Sequence, residues 1–479
     1  MDDRPEGWGA LLSGRNGIRS IALAGGVALH AVNVFIATTI LPSVVADIGG
    51  LDYYAWSTTL FVAASIVGAA LSARLLPGFG PRGAYGAAAL IFGLGSMVCA
   101  LAPAMPALLA GRIVQGLGGG LLFALSYAMI RIVFAPSLWP RGMALVSGMW
   151  GVATLIGPAV GGIFAELGAW RLAFWSVVPV TALFGLMAVV VLPRREAAGA
   201  APPGLPLLQL ALLTLAILAI SLGSIRPGLA WTAAGLIAAF LLLGLIAAVE
   251  RRAGSRLLPR GAFSLATPLG LAFASITLLT VAVTGAEVFV PLFLQVLHGQ
   301  PPLAAGYLAA AMAGGWTTGS IASSGIAPRA VARAMIAAPM VTFTGMALLA
   351  LLMPLGAGGW PFTVCLVLGL ALAGLGVGYG WPHLLTRVLK VAPAAEQDLA
   401  SASITTVQLF ASALGAALAG MIVNLAGLTS PGGVAGTASA AFWLFAVLAL
   451  APLAAVLVAL RSARLAPAGV GLVARPADR

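Results

Sequence analysis

Apolar residues run along this chain in long blocks, cut at short intervals by arginine, proline and glycine. Blocks of roughly 18 to 28 apolar residues fit a membrane-spanning helix. They lie at about 20–43, 54–76, 83–103, 107–132, 141–167, 170–193, 206–225, 228–249, 266–297, 303–326, 332–354, 361–388, 401–426 and 437–460. The pattern therefore predicts fourteen spans and an all-α polytopic membrane protein. The polar opening stretch is too long for the positively charged start of a signal peptide, so the first span is expected to be retained.

Composition agrees. Of 479 residues, 61% are hydrophobic and 8% are charged, with a mean hydropathy of +1.09. A soluble domain is about one quarter charged, and a water-soluble globule of this size could not cover its surface with so few charges. The bilayer is the expected solvent. Net charge is +12, but the bases stand one to four at a time between apolar runs. That arrangement excludes a nucleic-acid face, which needs a clustered patch.

The same bases test the helix count. If the spans alternate in direction, twenty-one of the 24 Lys and Arg residues fall on one side. The other side keeps Arg171 and Arg226, and Arg112 lies inside a span. A basic excess marks the cytoplasmic side, which places both termini there. Cys99 and Cys365 lie in apolar runs and are expected to be buried free thiols.

The chain also repeats. The turn after span 2 reads Phe79-Gly80-Pro81-Arg82, and the turn after span 10 reads Ile326-Ala327-Pro328-Arg329. Span 1 carries Val34-Phe35 and span 9 carries Val288-Phe289. Spans 1–6 and 9–14 are thus expected to form two parallel six-helix bundles. The implied organisation is a cytoplasmic tail at 1–19, a bundle at 20–193, linkers with an inserted pair of spans at 194–262, a second bundle at 263–460 and a cytoplasmic tail at 461–479.

Several motifs follow one another in an order that resembles the major facilitator superfamily, in particular its fourteen-helix drug:proton antiporter branch. Span 4 has Arg112-Ile113-Val114-Gln115-Gly116-Leu117-Gly118-Gly119. Span 5 has Gly157-Pro158-Ala159-Val160-Gly161-Gly162, similar to the end of the family's antiporter motif. Trp170-Arg171-Leu172-Ala173-Phe174 opens span 6, and Val290-Pro291-Leu292-Phe293-Leu294-Gln295 ends span 9. The likeness covers nearly the whole chain. It implies two bundles around one cavity lined by spans 1, 4, 9 and 12. Three places depart from the family pattern. Ala73 stands where the loop between spans 2 and 3 carries an aspartate, next to the basic residues Arg74 and Arg82, which in the family help latch the bundles. Asn33 stands nine residues before Pro42, where this branch often carries an acid. Ala144 and Ala153 stand where the spacing calls for glycine.

Of twelve acids, Glu287 alone lies well inside a span. A charge at mid-membrane costs at least ~2.5–3.5 kcal/mol, so such a residue usually faces a cavity or a partner. Thr280, Thr284, Glu287, Pro291 and Gln295 share one helical face. Glu287 is either the proton-coupling group or a protonated carboxyl bonded to a neighbouring helix. Arg112 shares a face with Gln115 and Gly119; it is a candidate proton-coupling residue that could counter Glu287, bind an anion or move a proton by pairing and releasing, or else it props its own helix or a neighbouring carbonyl. A pair of Arg112 with Glu287 is expected when the outer side is closed. His30 and Asn33, one turn apart, complete a candidate substrate site with Gln115, Thr284 and Gln295. Gly157, Pro158, Gly161 and Gly162, with Gly148 and Gly151, read as a close-packing or gating stripe. No Cys, His or acidic cluster has metal-ligand spacing. No phosphate loop, cofactor motif or catalytic set is present in the sequence.

The expected function is proton-coupled export of a hydrophobic or amphipathic small molecule by alternating access. The protein would be a monomer in the cytoplasmic membrane of a bacterium, with protons, substrate and lipid as its partners. A dedicated metabolite exporter, a proton-independent facilitator and a non-transporting sensor on the same fold remain open at this level.

Overall fold

The computed structural model describes residues 7–194, 204–225, 228–356 and 358–464. Among them there is no strand, and twelve helices are long and apolar enough to cross a membrane. Two features separate that number from the fourteen expected spans. First, helix α3 (Trp56–Ala100) runs through the turn after span 2. At 1.5 Å per residue it would measure about 68 Å, roughly twice a hydrocarbon core of about 30 Å. It breaks at Gly80, whose φ of 69° only glycine adopts readily. Second, α10 (Pro302–Ser324) has 23 residues but is not among the twelve. Its Gly, Ser and Thr residues dilute its apolar character.

Both expected tails are partly helical. A short α1 (Trp8–Leu12) precedes α2 (Gly14–Ile48), so the first span begins six residues before residue 20. Leu11 is fully buried and its carbonyl accepts from Ser20 Oγ at 3.0 Å. At the other end, α14 (Gly433–Leu448) and α15 (Leu450–Arg464) carry the last span beyond residue 460. Cys99 is buried as expected, whereas Cys365 is exposed. It sits on α12 (Gly359–Val391), on a face with exposed Val364 and Leu368. An apolar run cannot tell a core face from one meant for lipid. Trp170, which opens span 6, is buried, and its Nε1 donates to Asp47 at 3.1 Å.

Helices α2, α3, α4 (Met105–Val133), α5 (Trp139–Glu166) and α6 (Trp170–Val191) pack on one another. So do α9 (Pro268–His298), α10, α11 (Pro328–Leu352), α12, α13 (Gln397–Leu425), α14 and α15. One packing device occurs in both groups. A Cβ at Gly116 or Gly120 of α4 would collide with the backbone of Phe61 or Ser65 in α3. A Cβ at Gly374 or Gly378 of α12 would collide with that of Met312 or Trp316 in α10. Glycines four apart on one helix bring two backbones together where the hydrophobic effect does little to hold them. Between the groups, α7 (Leu207–Ile225) and α8 (Leu229–Arg252) form a hairpin that leans on α13.

Candidate functional site

The first half of the site hangs on Phe61 of α3. Helix α4 presents Arg112, 1% exposed, with its Cζ 4.1 Å from the Phe61 ring centroid. The guanidinium donates from Nε to Ser57 O at 3.1 Å and from one terminal nitrogen to Gln115 Oε1 at 2.6 Å. Gln115 passes the chain on, donating from Nε2 to Ser96 Oγ at 2.8 Å. On the other side of Phe61 lies His30, its ring 5.2 Å from Phe61, 5.4 Å from Phe123 and 6.1 Å from Trp150. Gly119 makes room for it: a Cβ there would come within 2.9 Å of His30 Nδ1. Neither His30 Nδ1 nor either polar atom of the fully buried Asn33 has a hydrogen-bond partner among the described residues. An orphaned buried polar group costs about 1–3 kcal/mol, so Asn33 is held in the core against its preference.

The second half is on α9. Glu287 lies mid-helix and is half-buried, although Ala286 and Val288 beside it are buried. Its carboxyl has no hydrogen bond and no ion pair among the described residues. One turn away, Thr284 Oγ1 reaches Ser412 Oγ of α13 at 3.4 Å. Thr280 Oγ1 and Gln295 Nε2 are buried without partners among the described residues. The face read from the sequence is therefore real in part: Thr284, Glu287 and Gln295 are partly accessible, while Thr280 and Pro291 are buried.

The expected pair of Arg112 with Glu287 is not made in this structure. Arg112 finds Ser57 O, Gln115 and the Phe61 face within its own helix group. Arg82 is likewise used locally. It donates to Val190 O and Leu192 O at 3.3 and 3.4 Å, carbonyls at the end of α6 that lack helical partners. Arg74 is exposed and has no ion pair among the described residues.

The two helix groups meet across α5 and α10. A Cβ at Gly162 would lie 2.4 Å from Leu303 Cα, and one at Gly306 would lie 3.0 Å from Pro158 Cβ. Gly157 and Gly161 pack instead on Phe35 and on Ile36 and Thr39 of α2. Glu166 accepts from Leu303 N at 3.1 Å, and Tyr307 OH donates to Leu155 O at 3.1 Å. Nearby, Tyr54 stacks on Phe289 with centroids 4.9 Å apart, and Asn424 Nδ2 donates to Asp52 O at 3.2 Å. Farther along, Ala313 still packs against the small cluster of Ala31, Phe35 and Ala153. At Gly148, Gly151 and Gly314 nothing lies within 4 Å of where a Cβ would stand. The two helices are tightly closed at the Leu303 end. Glu166, Tyr307, Asn424 and Tyr54 were not singled out from the sequence, because polar residues at helix ends carry no periodic signal.

A family model described as Major Facilitator Superfamily matches residues 23–416. A probable multidrug-efflux transporter of Mycobacterium tuberculosis (strain H37Rv) is 42% identical over 457 residues, which is 93% of this chain and 94% of that protein. Multidrug resistance protein 3 of Bacillus subtilis is 24% identical over 375 residues, 76% of this chain and 71% of its own. Among solved structures, a POT family transporter in complex with a thioalcohol-conjugated peptide superposes with a TM-score of 0.67 at 13% identity, covering 93% of this chain and 96% of that one. A bacterial homologue of the human lysosomal transporter Spinster, inward-facing and unoccupied, gives 0.63 at 15% identity over 94% and 97%. At such identities the likeness is one of fold. The chain is a polytopic membrane protein that belongs to the Major Facilitator Superfamily.

Proposed function

We propose that this protein is a secondary active transporter that exports a hydrophobic or amphipathic small molecule in exchange for protons. It crosses the membrane fourteen times, with α3 bent at Gly80 counted as two crossings and α10 counted as one. Both termini are cytoplasmic, and the protein works as a monomer in the cytoplasmic membrane of a bacterium. The Leu303 end is then the outer one, and it is closed in the state described here.

The observation that carries this reading is Glu287. It is an acid in the middle of a spanning helix, partly accessible and without a partner among the described residues. An intramembrane carboxyl in that position has a functional use by default. It can take up a proton when the cavity opens outward and release it when the cavity opens inward. The 42% identity to a protein named a multidrug-efflux transporter supports the choice of substrate. Thr284 and Gln295 on one wall supply polar groups for a bound molecule, Phe123 and Trp150 supply apolar surface, and His30, Asn33 and Phe61, buried in this state, add to them where opening uncovers them. Alternating access follows from rocking the two helix groups about this site.

The test is reconstitution in liposomes with an imposed pH gradient and a lipophilic cationic dye as probe. Dye movement against its gradient should require the proton gradient and should vanish in Glu287→Gln. Dye movement that ignores the proton gradient would point to a proton-independent facilitator. Absence of movement across many probes would favour a sensor.

A further inference from the structure

The hairpin of α7 and α8 has no part in the two-bundle scheme, yet its bonds to the rest of the molecule are unevenly shared. It is fixed along α13 at three levels. At the start of α13, Glu396 takes Arg260 N at 2.7 Å and pairs with Arg256 at 3.5 Å. Both arginines lie in the segment that follows α8. That segment is folded back onto the hairpin by Glu250, which accepts from Leu257 N and Leu258 N at 2.6 and 2.7 Å. Gln209 of α7 also donates to Ser255 O at 2.9 Å. In the middle, Leu212 and Leu213 of α7 and Ile246 of α8 form a small core that includes Phe410 of α13. At the end of α13, Asn424 Nδ2 donates to Ser224 O at 3.2 Å.

Asn424 is shared. Its other amide proton goes to Asp52 O, also at 3.2 Å, in the turn that joins α2 to α3. Ser224 O is one of the last carbonyls of α7 and has no helical partner. A single amide thus joins the hairpin, the C-terminal group and the N-terminal group, and it does so at the shut end. Gly420, one turn earlier on α13, meets Ala55 so closely that a Cβ would lie 2.6 Å from it.

We propose that α7 and α8 move with the C-terminal helix group as one rigid body, and that Asn424 is a positioning residue that holds this body against the Asp52 turn when that end is shut. The proposal rests on the alternating-access reading above. Opening the Asp52 end breaks the bond to Asp52 and leaves the bond to Ser224 in place. The inserted pair is then a brace for α13, whose Ser412 also touches Thr284 of the Glu287 face.

Three spin labels test this in the full-length protein, on a Cys365→Ser background because Cys365 is exposed. Cysteines replace Leu101, Leu222 and Trp360, which are 64%, 59% and 79% exposed and lie on α3's end, α7 and α12. They are introduced in pairs, and each of the three distances is measured by pulsed electron resonance. The Asp52 end is propped open by Gly162→Leu or, should that variant fold poorly, by Gly306→Leu. The 101–360 and 101–222 distances should lengthen together while 222–360 stays fixed. A change in 222–360 with 101–222 fixed would overturn the proposal, because the hairpin would then belong to the N-terminal group. A 101–360 distance that never changes would instead sink alternating access, and the hairpin proposal with it. Asn424→Leu removes both donors and should raise the open fraction in the 101–360 distribution roughly fivefold, the worth of about one hydrogen bond. An unchanged distribution would remove Asn424 from the closure.

Discussion

Gly162 of α5 lies against Leu303 of α10 with no room between them for a methyl group. Overpacking a tight contact costs typically 1–3 kcal/mol, and here the cost falls on the state in which the two helix groups touch. Gly162→Ala should therefore favour the opposite state rather than unfold the protein. A cysteine at Tyr307, 43% exposed, should react faster with an impermeant thiol reagent from the outside in this variant. Unchanged reactivity would mean that the contact does not bear on closure.

Glu287→Gln keeps the size of the side chain and loses its titration. Proton-driven dye export should stop, while thermal stability should hold, because among the described residues the carboxyl makes no bond that the amide would break. Counterflow of dye between two dye-loaded compartments needs no net proton movement and should survive. Retained proton-driven export would take Glu287 out of the mechanism.

Arg112 makes the opposite kind of contribution. Its bonds to Ser57 O and Gln115 are buried, and a neutral buried group left without its partner costs about 1–3 kcal/mol. Arg112→Met should lower the melting temperature, and Gln115→Leu, which leaves the buried Arg112 charge without its side-chain partner, should lower it at least as much. Because Arg112 and Glu287 share no bond here, the stability effects of Arg112→Met and Glu287→Gln should add within about 0.5 kcal/mol. A larger coupling would restore the direct pair.

How much of this was legible beforehand follows from what each signal depends on. Helix positions depend on apolar length alone, so 107–132 and 170–193 lie within two residues of α4 and α6. Residue chemistry at depth was equally visible, since an acid or an arginine in an apolar run stands out. Partner choice was not. Arg112 could be placed on a face with Gln115, but nothing in the sequence put Ser57 O and the Phe61 ring within its reach. Cys365 shows the same limit, because lipid and protein core select the same side chains. The bend at Gly80 was hidden for a different reason: the short polar turn there was expected to separate two helices, and the chain stays helical on both sides of one residue.

Tyr307 and Glu166 test the closure without touching its glycines. Tyr307 OH donates to Leu155 O, beside the position where Pro158 removes a backbone donor from α5. Glu166 takes an N–H in the first turn of α10, where donors lack helical partners and the helix dipole favours negative charge. Both bonds are partly exposed, so each should contribute only about 0.5–1.5 kcal/mol. Tyr307→Phe and Glu166→Leu should each shift the population modestly toward the outward-open state. The double variant should shift it by close to the sum, because the two bonds sit on different turns and share no atoms. Impermeant labelling of a cysteine at Asp52 reads that shift. Proton dependence of export should keep its midpoint in all three variants, since neither side chain belongs to the Glu287 face. A moved midpoint would tie the outer contacts to the titrating group, and equal labelling in all three variants would show that the glycine packing closes this end alone.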